Sequence, residues 1–96
     1  MKSGWVYIMT NKPFGTLYIG VTSDLAARVW QHRNGTGSSF CKRHGLTRLV
    51  YVERHDRIED AITREKSLKA WKRSWKLRQI MQMNPNWDDL YETLNH

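Results

Sequence analysis

Residues 4–22 read GWVYIMT-NKPFG-TLYIGVT, and this stretch decides the fold. Its outer parts, residues 4–10 and 16–22, are rich in aromatic and β-branched side chains, which favour β-strands. The five residues between them contain a proline and a glycine, which favour a turn. The segment therefore predicts a β-hairpin with a short loop.

Alternation of side chains along the hairpin assigns them to its two faces, because successive residues of a strand point in opposite directions. The first strand is expected to place Tyr7 on the same face as Trp5 and Met9. The second is expected to place Tyr18 and Gly20 opposite its apolar residues, which are Leu17, Ile19 and Val21.

The chain beyond the hairpin predicts one further strand and several helices. Capping oxygens at residues 22–24 precede a helix over 25–32 that ends near Asn34-Gly35. Residues 35–45, which are rich in Gly, Ser and Thr, are predicted to form a loop, and residues 46–54 a third strand.

Three helical segments follow the third strand. They are predicted over residues 57–70, from 73 or 74 to about 83, and over 87–94, with Pro85 ending the second. The sequence therefore predicts an α+β fold in which helices flank a central three-stranded β-sheet.

Composition restricts the number of domains and the class of partner. The 96 residues, 40% of them hydrophobic, leave room for a single domain, residues 1–96. The formal charge is +7, which favours a polyanion, and nucleic acid first. No apolar run approaches the roughly 20 residues of a membrane span and no signal peptide follows Met1, so a cytoplasmic protein is expected.

The cysteine content bears on disulfides and on zinc. The single cysteine, Cys41, cannot form an internal disulfide, which agrees with a reducing compartment. Cys41 and His44 have a ligand-like spacing, but structural zinc uses four ligands, so no zinc site is expected there.

Glu65 interrupts an apolar stripe on the helix predicted from residue 57. At helical periodicity the stripe comprises Ile58, Ala61, Ile62, Glu65, Leu68 and Lys72. Burying an ionised carboxylate is costly unless a positive group compensates it, so an arginine, a lysine or a metal ion is expected beside Glu65. A structural salt bridge and a functional carboxylate both remain open.

Arg28 and His32 are four residues apart and therefore share one side of the first helix. A guanidinium can hold a phosphate bidentately, and an imidazole can move protons near neutral pH. The alternative is an ordinary exposed arginine beside a half-buried histidine. Tyr7 and Tyr18 can likewise be explained by packing, although Gly20 within the second strand indicates a close approach of another group.

Basic residues are concentrated on the predicted loop and on residues 64–78, where seven Lys and Arg oppose Glu65 alone. This clustering favours a surface that faces phosphates. The candidates for nucleic-acid contact are Lys42, Arg43, Lys66, Lys69, Lys72, Arg73 and Lys76. Trp71 and Trp75 are interpreted as core anchors, with aromatic platforms as the alternative.

Taken together, Val6-Tyr7-Ile8, Tyr18-Ile19-Gly20, Arg28 with His32, and the Glu65 helix resemble the GIY-YIG nuclease superfamily, in particular its small stand-alone bacterial members. The resemblance covers residues 4–85 and leaves 86–96 as a helical extension. It implies a compact domain that cleaves DNA phosphodiesters with a divalent metal.

The resemblance also implies roles for individual residues. Tyr7 would help to activate the attacking water as general base, and Tyr18 would position the water or contact the phosphate. Arg28 would stabilise the phosphate, His32 would relay the proton, and Glu65 would bind a single Mg²⁺ or Mn²⁺ ion. A phenol is a weak base at pH 7, so this role needs His32, the metal or nearby cations to lower its pKa.

Two features depart from the family pattern. Trp5 replaces the glycine of the first motif and is expected to alter the turn or crowd the entrance of the site. The family's late asparagine has two candidates, Asn84 and Asn86.

Three functions follow. The first is a metal-dependent endonuclease acting on DNA, with RNA as a further possible ligand and DNA repair or processing as the setting. The second is a non-catalytic nucleic-acid-binding module on the same scaffold. The third is a protein-interaction domain with a basic face, whose partner the sequence does not identify.

Overall fold

The computed structural model describes residues 2–95, so the two terminal residues of the predicted domain lie outside it. The strands are β1 (Gly4–Thr10), β2 (Leu17–Thr22) and β3 (Arg48–His55). The helices are α1 (Leu25–Arg33), α2 (Ser39–His44), α3 (Ile58–Ala70) and α4 (Arg73–Met83), and a 3₁₀ helix spans Leu90–Asn95. This arrangement confirms the predicted α+β fold.

The sheet is antiparallel with the strand order β2-β1-β3, so β1 is central and the other two strands are edges. In the register of the hairpin, Tyr7 pairs with Gly20 and Met9 pairs with Tyr18. Tyr7 and Tyr18 therefore lie on one face of neighbouring strands.

The two faces of the sheet carry separate cores. One packs against α3 and α4 and buries Val6, Ile8, Ile19, Ala61, Leu68 and Ile80. The other packs against α1 and α2 and buries Tyr7, Met9, Leu25, Val29, Cys41 and Leu49. This separation confirms the alternation predicted for the hairpin.

The start of α1 follows the predicted capping pattern. Asp24 is the N-cap residue, and its Oδ1 accepts a hydrogen bond from the Ala27 backbone N–H at 3.2 Å. The helix ends before Gly35, whose φ of 76° is easy only for a residue without Cβ. The position of α1 across β1 and β2 is thus fixed at both ends.

The predicted loop over residues 35–45 is wrong in part, because α2 lies within it. Ser38 caps this short helix, Cys41 anchors it in the core, and Gly45, with φ 66°, ends it. Six residues with one buried anchor are too few to produce a helical periodicity in the sequence.

The closing helix predicted over 87–94 is instead the 3₁₀ helix, and it begins later. Its segment contacts α1 and β3: Asp89 accepts hydrogen bonds from Arg33 at 2.6 Å and from the Leu49 N–H at 3.2 Å. Within residues 2–95, none of the helices has the length and apolar composition that crossing a membrane requires.

Candidate active site

The Tyr7 phenol is buried at the centre of the sheet. Only 1% of Tyr7 is exposed, and its hydroxyl lies 2.8 Å from His32 Nε2 on α1. A Cβ on Gly20 would lie 2.4 Å from the Tyr7 hydroxyl. Gly20 is therefore needed for the phenol to lie flat against β2, which is the close approach that the sequence indicated.

His32 is equally buried, rather than half-buried. Burial, followed by the charge of Arg28, lowers the pKa of His32 to about 4, so its imidazole is neutral at pH 7. Its Nδ1 is buried and has no hydrogen-bond partner among the described residues, and a Cβ on Gly37 would lie 2.8 Å from it. Gly37 thus lies against His32, and no feature of the sequence predicted this contact, since a glycine is ordinary in a predicted loop.

Burial raises the pKa of Tyr7 well above its ordinary value, although the neighbouring Arg28 guanidinium opposes that shift. The phenol is therefore protonated at neutral pH. Its environment works against the lowered pKa that a tyrosine acting as general base needs.

The Arg28 guanidinium lies beside the hydroxyls of both Tyr7 and Tyr18. Burial lowers the pKa of Arg28, but the interactions with these two phenols outweigh it and leave the pKa raised. Arg28 also donates a hydrogen bond from Nη1 to Gln31 Oε1 at 3.1 Å. The group is a fixed, oriented cation, and Gln31 is a second residue that sequence reasoning missed.

Tyr18 connects this cluster to the surface. Its ring centroid lies 6.4 Å from that of Tyr7, 5.3 Å from that of His32 and 6.2 Å from that of Phe40 on α2. An open cleft of about 380 Å³ runs along the β2 edge, and it is lined by Leu17, Tyr18, Ile19, Phe40, Lys69 and Lys76. The sequence did not predict that Phe40 lines the cleft, because residues 35–45 were predicted to form a loop.

Glu65 lies on the other side of this edge, on α3. It is 9% exposed, and its Oε2 lies 2.8 Å from Lys69 Nζ. The expected cationic partner is thus a lysine one turn further along the same helix. Because Lys69 also lines the cleft beside Tyr18, the carboxylate adjoins the cleft that the tyrosine cluster reaches.

The residues fit a magnesium-type ion better than a zinc-type one. In residues 2–95 no group of three or more His, Cys, Asp or Glu is arranged to hold a metal. Mg²⁺ is commonly held by one or two carboxylates, with waters and substrate phosphates completing its shell. Glu65 could supply that single carboxylate if Lys69 moves away from it.

The predicted nucleic-acid contacts divide into two groups. Lys69 and Lys76 line the cleft, and exposed positions are occupied by Lys42, Arg43, Lys66 and Lys72. Arg73 differs, since its Nη2 donates to the backbone carbonyls of Phe14 and Gly15 at 2.7 and 2.8 Å. Its guanidinium therefore holds the hairpin loop against α4.

Trp5 and Asn84 both lie away from the cleft. Trp5 lines a separate hollow of about 240 Å³ with Asp24, Leu25 and Leu94, so it does not crowd the Tyr18 side. Asn84 is buried and donates from its amide to the carbonyl of Val50 in β3, the opposite edge of the sheet. Asn86 is exposed.

Comparison with known proteins agrees with the fold. The family model described as the GIY-YIG catalytic domain matches residues 3–91. A UPF0213 protein of Staphylococcus saprophyticus is 34% identical over 82 residues, which are 85% of this chain and 99% of that protein, and one of Staphylococcus aureus is 37% identical with the same coverage. No solved structure gave a significant match. The chain is a small member of the GIY-YIG family, a superfamily of nucleases.

Proposed function

We propose that this protein is a divalent-metal-dependent endonuclease that hydrolyses DNA phosphodiester bonds in DNA repair or processing. The observation that carries the proposal is that Tyr7, Arg28 and His32 surround Tyr18, and that Tyr18 lines a cleft together with Lys69, the ion-pair partner of Glu65. RNA presents the same phosphate chemistry and is a further possible ligand.

Binding would rest on the phosphate backbone. Lys69 and Lys76 line the cleft, and the +7 charge of the chain attracts a polyanion from solution. Such contacts carry no base specificity, and affinity falls steeply as salt is added.

The buried Tyr7–His32 pair would handle the proton of the attacking water. Because the Tyr7 phenol is protonated, it can take a proton from water only as it gives its own to another base. His32 Nε2, neutral and 2.8 Å away, is placed to accept that proton. The relay leaves hydroxide for attack on phosphorus and an imidazolium on His32.

Arg28 and Tyr18 would act on the phosphate. A permanent guanidinium charge that is already oriented can stabilise the negative charge that grows on the phosphoryl oxygens. Tyr18, partly exposed between Arg28 and the cleft, would orient the phosphate or the water by its hydroxyl.

Glu65 would hold the metal ion. When bound, Mg²⁺ or Mn²⁺ supplies Lewis-acid stabilisation of a phosphoryl oxygen and the leaving group. The role of the chain is to present the carboxylate beside the cleft. This requires Lys69 to leave its 2.8 Å contact with Glu65, for instance by binding a DNA phosphate instead.

A non-catalytic nucleic-acid-binding module is the second candidate. It is favoured by the burial of the Tyr7 hydroxyl and by the ion pair that already neutralises Glu65. The basic cleft would then bind nucleic acid without cleaving it.

Cleavage separates the two functions. Purified protein is incubated with plasmid, branched and single-stranded DNA in Mg²⁺ or Mn²⁺, beside Tyr7→Phe, Glu65→Ala and the control Glu59→Ala, which removes an exposed carboxylate of α3. We expect nicking by the wild type and the control, with loss in EDTA and in the two site variants. Salt-sensitive binding without metal-dependent cleavage would favour the module, and indifference to nucleic acid would reject both.

A further inference from the structure

Trp75 does not join the core, although its spacing from Trp71 predicted that it would. It is 47% exposed, whereas Trp71 is partly buried and packs against the core. The two indole rings stand nearly perpendicular, at 81°, with centroids 6.1 Å apart. They form one corner of a hollow of about 200 Å³, which Arg78 and Gln79 complete.

The charges around this hollow are positive and unopposed. Lys72 Nζ lies 5.7 Å from the centre of the Trp75 ring, and Arg78 lines the hollow itself. Within residues 2–95, neither cation has a carboxylate within ion-pair distance. Arg64, by contrast, lies over Trp71 but is neutralised by Glu53.

The rest of the hollow is held in place. Gln79 Nε2 donates to the Tyr51 hydroxyl at 3.2 Å, and that hydroxyl donates to Glu53. These bonds orient Gln79 at the floor, while the exposed Trp75 indole and the exposed Lys72 and Arg78 are presented to solvent. An aromatic face flanked by cations is the combination that binds a base together with its phosphates.

From these observations we propose that the Trp75 hollow binds an unpaired nucleobase of the nucleic-acid strand that enters the cleft, by stacking on Trp75 while Lys72 and Arg78 contact the flanking phosphates. This inference rests on the proposed function. Lys76, the next residue of α4, lines the cleft, so the helix alone separates the two sites. The two sites are thus about 10 Å apart, which is the diameter of one helix.

Binding measurements in EDTA, where no cleavage occurs, test the inference. The probes are a fluorescent single-stranded oligonucleotide, the same strand with abasic positions, and a fully paired duplex. Trp75→Ala is compared with Trp30→Ala, which removes a tryptophan that is 55% exposed on α1, and Arg78→Gln is compared with Arg57→Gln.

We expect Trp75→Ala to weaken binding of the single strand roughly five- to hundredfold, with little effect on the duplex or the abasic strand. Arg78→Gln should lower the salt dependence for the single strand by about one counterion, and Arg57→Gln should not. Equal effects of Trp75→Ala and Trp30→Ala, or equal losses on single strand and duplex, would overturn the inference while leaving cleavage in the cleft intact. Absence of binding by the wild type would instead reject the proposed function, and the inference with it.

Discussion

Two clusters beside the sheet are built from the same four residue types, Tyr, Arg, His and Glu, yet only one of them is closed. Along β3, the Tyr51 hydroxyl donates to Glu53 at 2.7 Å, and His55 and Arg64 contact the same carboxylate at 2.6 and 3.1 Å. Near β2, the corresponding types are Tyr7, Arg28, His32 and Glu65. Among the described residues, His32 Nδ1 there has no hydrogen-bond partner, and Lys69 is the one ion-pair partner of Glu65.

This difference separates a polar network that is satisfied within the fold from one to which we assign the chemistry of the proposed function. Burial raises the pKa of Glu53, but Tyr51, His55 and Arg64 outweigh it and leave the pKa below its ordinary value. The β3 cluster is therefore satisfied internally. The β2 cluster keeps a neutral imidazole and a protonated phenol that are both buried, and Tyr18 connects them to the cleft.

The largest expected effect comes from removing one tyrosine hydroxyl in each cluster. Tyr7→Phe should lower the single-turnover cleavage rate about 10²- to 10⁴-fold, because the proton relay is lost. Tyr51→Phe should leave cleavage unchanged and lower the free energy of unfolding by about 1 to 2 kcal/mol, because a bond to a carboxylate is lost. Cleavage assays measure the rates and urea denaturation measures the free energies of unfolding. Equal activity losses in the two variants would contradict the assignment of different roles to the two clusters.

A second prediction concerns the space that Gly20 leaves for Tyr7. In Gly20→Ala the new methyl group would lie 2.4 Å from the Tyr7 hydroxyl oxygen, so we expect a loss of about 1 to 3 kcal/mol in stability and slower cleavage. Gly45→Ala is the control: it has φ 66° but no neighbour within 4 Å, so it should cost about 1 kcal/mol and leave cleavage unchanged. A Gly20→Ala protein with normal cleavage would show that the phenol position is unimportant.

The pH dependence of stability is the third test. The pKa of His32 is about 4 in the folded protein against 6.5 ordinarily, so between these values the unfolded chain binds a proton that the folded chain does not. Stability should therefore fall as pH falls from 6.5 to 4, with no further contribution from His32 below. Urea denaturation across this range should show the decline in wild type and in His44→Gln, and a shallower one in His32→Gln; an unchanged slope in His32→Gln would contradict the assignment.

The smallest effect concerns the ion pair at Glu65. Lys69→Met removes a competitor 2.8 Å from the carboxylate, and we expect Mn²⁺ to bind about twofold more tightly in the absence of DNA. Lys66→Met removes an exposed lysine of the same helix and serves as the control for net charge. Calorimetric titration with Mn²⁺ measures both affinities, and an equal change in the two variants would mean that Lys69 does not compete with the metal ion for Glu65.

Much of the fold could be predicted because its elements are periodic and clearly bounded. The hairpin, the third strand, α1, α3 and α4 all followed from alternation, helical spacing and breakers such as Pro85. The prediction that Trp75 anchors the core failed for a physical reason: Trp71 caps the end of α3 and Trp75 lies in α4, so their spacing crosses a break. In α4, the residues on the core side are Leu77, Ile80 and Met81.

For the candidate site, the sequence predicted which residues would come together but not the environment in which they lie. Tyr7, Tyr18, Arg28 and His32 do meet, and Glu65 does have a cation. Burial of His32, the partner of Glu65 and the contributions of Gly37 and Phe40 depend on how helices pack over the sheet, and no local pattern encodes that.

The sequence by itself determined the strands and main helices, the positive charge and the motif residues of the family, because these depend on residue type and spacing alone. Only the tertiary structure decided which polar groups are satisfied and what their pKa values are. Those properties arise from desolvation and from distances between segments far apart in the chain, such as the 2.8 Å between Tyr7 and His32. For that reason the same four residue types form a fully hydrogen-bonded network beside β3 and, around Tyr7, a cluster in which His32 Nδ1 has no hydrogen-bond partner among the described residues.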